Sequence, residues 1–254
     1  MRSDPPEKAA KASLLNHLRS IGALKNASVI SELVLNRWAH RADLVTVNGE
    51  IVAYEIKTAS DRLTRLPRQI EAYSTVFDHV NAVVATKHLA AATEIIPDYV
   101  GLFEITNQNF VRPIRESRHS PKLSRNASMT LLPAKALAGL VRVHLGVRPA
   151  TTRLEMEKQA ATISDDHIRD HIRFYLKQKH ASTTRSLSNL ARGRKIRSTD
   201  IEDLRLLKPK GVVVTSDARD SLTPSFSDWV NQMTLDQAFG PVPNDIRALL
   251  SGSS

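Results

Sequence analysis

Hydrophobic positions recur along this chain at two periods, and each change of period marks an element. Between Glu7 and Ile21, the residues Ala10, Leu14, Leu15 and Leu18 return every three or four positions, with Lys8, Lys11 and Arg19 among them. That is the spacing of a helix with one buried face, and Gly22 follows where it should stop. A period of two then takes over. Val29–Leu35 alternates, with Val29, Ser31, Leu33 and Leu35 on one side and Ile30, Glu32 and Val34 on the other. After a polar bend over 36–40 come the strand-like runs Arg41–Val47 and Ile51–Lys57, joined by Asn48-Gly49, a strong hairpin signal.

Helical spacing returns over 66–77, where Leu66, Ile70, Tyr73 and Phe77 form a stripe and Pro67 suits the first turn. Val80–Thr86 is a short apolar run of the kind buried within a sheet. A helix over 88–96 ends at Pro97, and 101–106 and 110–114 read as strands. The predicted order is α-β-β-β-α-β with additions, an α/β domain over residues 7–115. Residues 116–128 are polar and basic and are expected to be a linker. Residues 129–180 are expected to be a helical region, with amphipathic helices over 131–145, 153–163 and 165–180, the last capped by Ser164 or Asp165. Residues 181–254 are expected to be a basic, weakly structured C-terminal region carrying at most an isolated strand at 211–215.

Composition narrows the chemistry. The chain has 254 residues and no cysteine, which excludes a disulfide scaffold, a thiolate zinc site and a cysteine nucleophile. No run is long and apolar enough to span a membrane, and the charged, Pro-bearing N-terminus lacks a secretory pattern. A cytoplasmic protein with no membrane partner is expected. Lys and Arg total 36 against 26 acids, a net charge of +10 that favours a polyanionic partner. No GxSxG, P-loop or GxGxxG motif is present. His167 and His171 lie four apart, but without the Glu of an HExxH motif they read as a solvated helix face rather than a zinc site.

The segment from Arg41 to Tyr73 carries the candidate chemistry. Glu55 and Lys57 are two apart in a strand and share a face. Asp43 joins them only in some registers. A two-residue Asn48-Gly49 loop sets Asp43 opposite Tyr54, on the wrong face; a three-residue loop with Gly49 left-handed pairs Thr46 with Glu50 and sets Asp43 opposite Ala53, on the right one. The second register is therefore predicted, with a Gly49 bulge. Two carboxylates and an ammonium at a sheet end suit a hard divalent cation, Mg²⁺ with Mn²⁺ as a substitute, held by Asp43, Glu55, the Ile56 carbonyl and Glu32. Lys57 would orient a water or stabilise charge on phosphorus. Arg41, Arg65 and Arg68 are candidate nucleic-acid contacts.

These residues resemble the PD-(D/E)XK nuclease superfamily, with Asp43 and Glu55-Ile56-Lys57 matching its motif and Gln69-Ile-Glu-Ala-Tyr73 matching the Gln-xxx-Tyr helix of its RecB-like branch. Within it, the stretch from Arg41 to Thr86 looks like a small, mostly uncharacterised bacterial and phage family. Thr58-Ala59 departs from that family's Ser-Asp after the lysine and leaves Asp61 as the nearest acid. The resemblance implies a restriction-endonuclease-like core, a catalytic role for Gln69 and Tyr73 beside the metal, and a Mg²⁺-dependent deoxyribonuclease serving repair, mobile elements or anti-phage defence. Two rivals share the same pattern: an RNA nuclease, and a non-catalytic module that binds nucleic acid or protein on the same fold.

Overall fold

The computed structural model describes residues 6–35, 40–190 and 192–204. The expected strand at 211–215 and most of the bend at 36–40 lie outside them. Helix α1 (Pro6–Ser20) leads into a hairpin-rich half: β1 (Ser28–Leu35), β2 (His40–Asn48) and β3 (Glu50–Lys57). Then come α2 (Leu66–Ser74), β4 (His79–Ala85), α3 (Leu89–Ile95), β5 (Gly101–Ile105) and β6 (Val111–Arg115). The α-β-β-β-α-β order predicted from the periodicity is present. The six strands form one mixed sheet in sequential order, antiparallel from β1 to β3, parallel from β3 to β5, and antiparallel again at β6.

Alternation along β3 shows how the sheet is sandwiched. Ile51 and Ala53 pack on the α2 side with Leu66, Ile70, Tyr73 and Phe77. Tyr54 and Ile56 pack on the α1 side with Leu14, Leu15 and Leu18. In β1 the alternation predicted from sequence breaks. Val29 belongs to the α1 side, whereas Ile30, Leu33 and Leu35 all join the α2-side core. The break falls at Glu32, whose φ of 62° is left-handed, a conformation costly to a residue with a Cβ.

The expected division after residue 115 is not how the chain is built. Segment 116–128 is tied down: the Arg118 amide donates to Tyr99 O at 2.8 Å, the Ser120 amide to Asp78 O at 2.8 Å, and the Ser120 hydroxyl to Ser74 O at 2.6 Å. Helices α4 (Arg125–Met129), α5 (Ala134–Leu145), α6 (Arg153–Ala160) and α7 (Asp165–Lys179) follow. Leu137, Leu140, Val141, Ile168, Ile172 and Leu176 from α5 and α7 are fully buried in the same core as β2 and α2. At about 1.5–3 kcal/mol per buried side chain, these six contribute on the order of 10 kcal/mol, too much for a detachable appendage. Nor is the region from 181 uniformly weak in structure. Helix α8 (Ala181–Leu190) and a 3₁₀ segment (Ser198–Leu204) complete the α1-side core through Leu187, Ile196, Ile201 and Leu204. Residues 1–205 form one compact unit. No helix among the described residues is long and apolar enough to cross a membrane.

Candidate active-site cleft

The hairpin of β2 and β3 brings the predicted acids together through a register that the sequence does not give. Asn48 pairs with Glu50 across Gly49 alone, whose φ is 75°. Val47 therefore faces Ile51, and Leu44 faces Tyr54, two residues away from the predicted pairing. An even-numbered shift preserves the faces, so Asp43 still shares a side with Glu55 and Lys57. The predicted left-handed Gly49 is present; the predicted three-residue loop is not. The tighter turn puts Asp43 level with the end of β3, where its Oδ2 accepts the Ile56 amide at 2.8 Å.

Glu55 and Lys57 end a strand buried on both faces and parallel to β4, so the site lies at the carboxyl end of a parallel pair, a usual place for a ligand. Glu55 is 1% exposed and Lys57 5%. The Lys57 ammonium donates to Glu55 Oε1 at 2.6 Å. The Tyr73 hydroxyl lies 2.9 Å from Glu55 Oε2 and 2.7 Å from the Arg41 carbonyl. One phenolic proton serves only one of these acceptors. Burial pushes the Glu55 carboxyl upward, while Lys57, Tyr73 and Gln69 pull it back. Burial, then the Glu55 charge, raises the Tyr73 phenol. Gln69 sits one turn before Tyr73 and lines the cleft; its Oε1 is buried without a hydrogen-bond partner. A buried acceptor left open costs about 1–3 kcal/mol, so it is a place where an incoming donor gains most.

A second group of charges, from α1 and β1, closes the other side. Oxygens of Glu7, Glu32 and Asp43 lie within 4.8 Å of one another, the one such group of three or more potential metal-ligating side chains among the described residues. Lys11 is 1% exposed and threads between them, paired with Glu7 at 2.7 Å and with Glu32. Arg41 Nε lies 2.5 Å from Glu32 Oε2. The left-handed turn at Glu32 is what sends this carboxylate toward Lys11 and Arg41. Backbone strain held by such a pair is typical of functional sites. Burial, then the Glu55 charge, pushes Asp43 up to about 7, against the hydrogen bond from Ile56 and the charge of Lys11. Glu7 is held below the ordinary range: burial raises it, but Lys11 outweighs the effect.

The cleft holds about 520 Å³. Of the predicted residues, Asp43, Glu55, Ile56, Lys57 and Gln69 line it, with Arg41, Arg65 and Arg68 around them. Tyr73 stands behind Glu55. Arg65 and Arg68 are exposed, whereas Arg41 is engaged by Glu32. Asp61 is also at the cleft, but its Oδ2 caps the turn after Lys57 through the Thr58 amide at 2.7 Å and hydroxyl at 2.6 Å. Sequence reading missed Glu7 and Lys11. Their signal was available: they are an i,i+4 pair, and Lys11 falls on the stripe of Leu14, Leu15 and Leu18, where a charge calls for a buried partner. The donor set that fits a hard divalent cation is Glu7, Glu32 and Asp43, which offer only oxygen ligands; of the predicted ligands it holds Asp43 and Glu32, whereas Glu55, whose oxygens meet Lys57 and Tyr73, falls outside it. His167 stacks on His144 with ring centroids 5.0 Å apart, and His171 Nε2 is 3.2 Å from the Ala136 carbonyl. These histidines make ring and backbone contacts between helices.

Fold and cleft together define a mixed α/β protein with carboxylates and two buried lysines gathered at the end of its central strands. The chain belongs to the bacteriophage P4 protein cII family, whose profile matches residues 1–205. It is 29% identical over 206 residues to Protein cII of Enterobacteria phage P4, covering 79% of this chain and 77% of that one. No solved structure matches.

Proposed function

We propose that this chain is a divalent-cation-dependent nuclease with a restriction-endonuclease-like core of the PD-(D/E)XK kind, hydrolysing DNA phosphodiester bonds. The observation that carries this reading is the convergence of Asp43, Glu55 and Lys57 on one face, beside the carboxylates of Glu7 and Glu32, in a cleft rimmed by Arg65 and Arg68. A cation bound by Asp43, Glu32 and Glu7, with Glu55 adjoining, would polarise a phosphoryl oxygen and make water more acidic. Lys57 holds its ammonium at the inner wall, where it orients the attacking water and offsets charge gathering on phosphorus. Glu55 fixes Lys57, and Tyr73 fixes Glu55. Arg65 and Arg68 are placed to hold flanking phosphates. As the water oxygen bonds to phosphorus it gives up a proton to solvent, the opposite P–O bond breaks, and the leaving oxygen takes up a proton from solvent, so that one water is consumed and no net proton is left over.

One observation favours a non-catalytic module: Lys11 and Arg41 already neutralise Glu32. The same experiment separates the readings. Plasmid DNA, linear DNA and RNA are incubated with Mg²⁺ or Mn²⁺ and with wild type, Asp43→Ala or Lys57→Ala. Cleavage by wild type that both variants lose supports the nuclease. Retention of DNA without cleavage supports the module, and preferential digestion of RNA moves the substrate. Equal cleavage by all three proteins rejects this site.

A further inference from the structure

A second concavity lies at the other end of α1. It holds about 720 Å³ and is framed by the C-terminal turn of α1, the loop before β1, α8 and the segment 192–196. Five cationic side chains line it, Arg19, Lys25, Arg192, Arg194 and Lys195, and no acidic one does. Its floor is apolar, from Leu24, Val29, Leu187 and Ile196. The frame is fixed. Arg19 donates to the Arg194 carbonyl at 2.9 Å, and Asn16 bonds both the amide and the carbonyl of Ile196. Arg194 is held in a two-pronged pair by Asp200, which lies outside the groove. Lys25 and Lys195 stand exposed at the rim.

We infer that this groove binds the phosphodiester backbone of a nucleic acid, as a second contact on the strand that enters the proposed cleft. The inference rests on the nuclease reading for its link to the cleft, but the groove's chemistry stands separately. Dispersed cations along an open trough suit a chain of phosphates rather than one small anion, and the apolar floor suits sugar faces. With no aromatic side chain lining it, the groove offers no base stacking, and cations that meet phosphates position a strand without reading its sequence. Placement adds the second argument. Glu7 at the cleft and Arg19 at the groove are twelve residues apart on one helix, about 18 Å at 1.5 Å per residue. That is about five phosphates at 3.4 Å per nucleotide of one strand.

The test uses the full chain with Lys25→Glu/Lys195→Glu, and a milder Lys25→Gln/Lys195→Gln pair in case charge reversal disturbs folding. Binding of fluorescent 30-base-pair DNA and of RNA of equal length is measured in Ca²⁺ across a salt series, with poly-glutamate as a non-phosphate control. Each lost phosphate contact should lower the slope of log affinity against log salt by about 0.9, so the pair should lose about 1.8. Affinity at 0.1 M salt should fall about tenfold or more, with an unchanged thermal midpoint and unchanged Mn²⁺ binding. Shortening the duplex below about five base pairs from the cleavage point should abolish the difference between variant and wild type. Unchanged affinity and slope in both pairs overturns the groove, whatever the cleavage result. Preference for poly-glutamate overturns it in favour of an acidic protein partner. Loss of binding in a protein whose wild type never cleaves leaves the groove standing and removes the nuclease reading.

Discussion

Replacing Asp43 by Asn should stabilise the metal-free protein at high pH, because the fold resists the charge that function needs. Asp43 is pushed from an ordinary 3.8 to about 7, first by burial and then by the Glu55 charge. At 1.36 kcal/mol per tenfold change, ionising it in the folded chain costs about 4 kcal/mol more than in the unfolded chain, and screening at the cleft mouth trims this to about 2–4. The folded state binds the proton more tightly, so this group's contribution to stability is present below about pH 4 and is lost as pH rises toward 7. Asn carries no charge, and its carbonyl can still accept the Ile56 amide, which Asp43 takes at 2.8 Å. In EDTA at pH 8, the Asp43→Asn thermal midpoint should therefore lie about 4–16 °C above wild type, at about 2–4 °C per kcal/mol for a chain of this size. The gap should nearly close at pH 4.5. Adding Mn²⁺ at pH 8 should raise wild type and leave the variant unmoved. Circular dichroism melts read all three. A variant less stable than wild type at pH 8 in EDTA would make Asp43 a structural acid and remove the reason to place an ion beside it.

The other predictions follow from the same cluster and from one buried histidine. Mn²⁺ affinity, measured by calorimetry, should strengthen about tenfold per pH unit between pH 5 and 7 as Asp43 gives up its proton; a flat profile places the ion elsewhere. Tyr73→Phe leaves Glu55 Oε2 and the Arg41 carbonyl without their shared hydroxyl, and should cost about 1–3 kcal/mol in urea unfolding while slowing cleavage. Unaltered stability would show that the hydroxyl holds nothing. His180 is 4% exposed with neither ring nitrogen partnered, and burial pushes it down to about 4. The unfolded chain takes up that proton first, so stability should fall by about 3 kcal/mol as pH drops from 6.5 to 4. His180→Leu should flatten this part of the urea-unfolding pH profile; a profile identical to wild type would trace the acid sensitivity to another group.

What the sequence settled by itself is what depends on parity and period. Helical spacing identified α1, α2, α5 and α7, and alternation identified β2 and β3, because a half-buried element repeats its apolar residues at its own pitch. The shared face of Asp43, Glu55 and Lys57 survived a register error of two residues for the same reason: a strand repeats every two. What only the tertiary structure decided involves residues far apart in sequence. Glu7 and Lys11 meet Glu32 and Asp43 because α1 lies against the sheet, and no local pattern encodes that approach. Glu32 combines a left-handed backbone with ion pairs to Lys11 and Arg41, partners from α1 and β2 that no local pattern of β1 announces. Residues 181–204, polar and irregular in sequence, fold because Leu187, Ile196, Ile201 and Leu204 find apolar surface on α1 and β1. Period reports which side of an element is apolar; what that side meets is fixed only when the whole core closes.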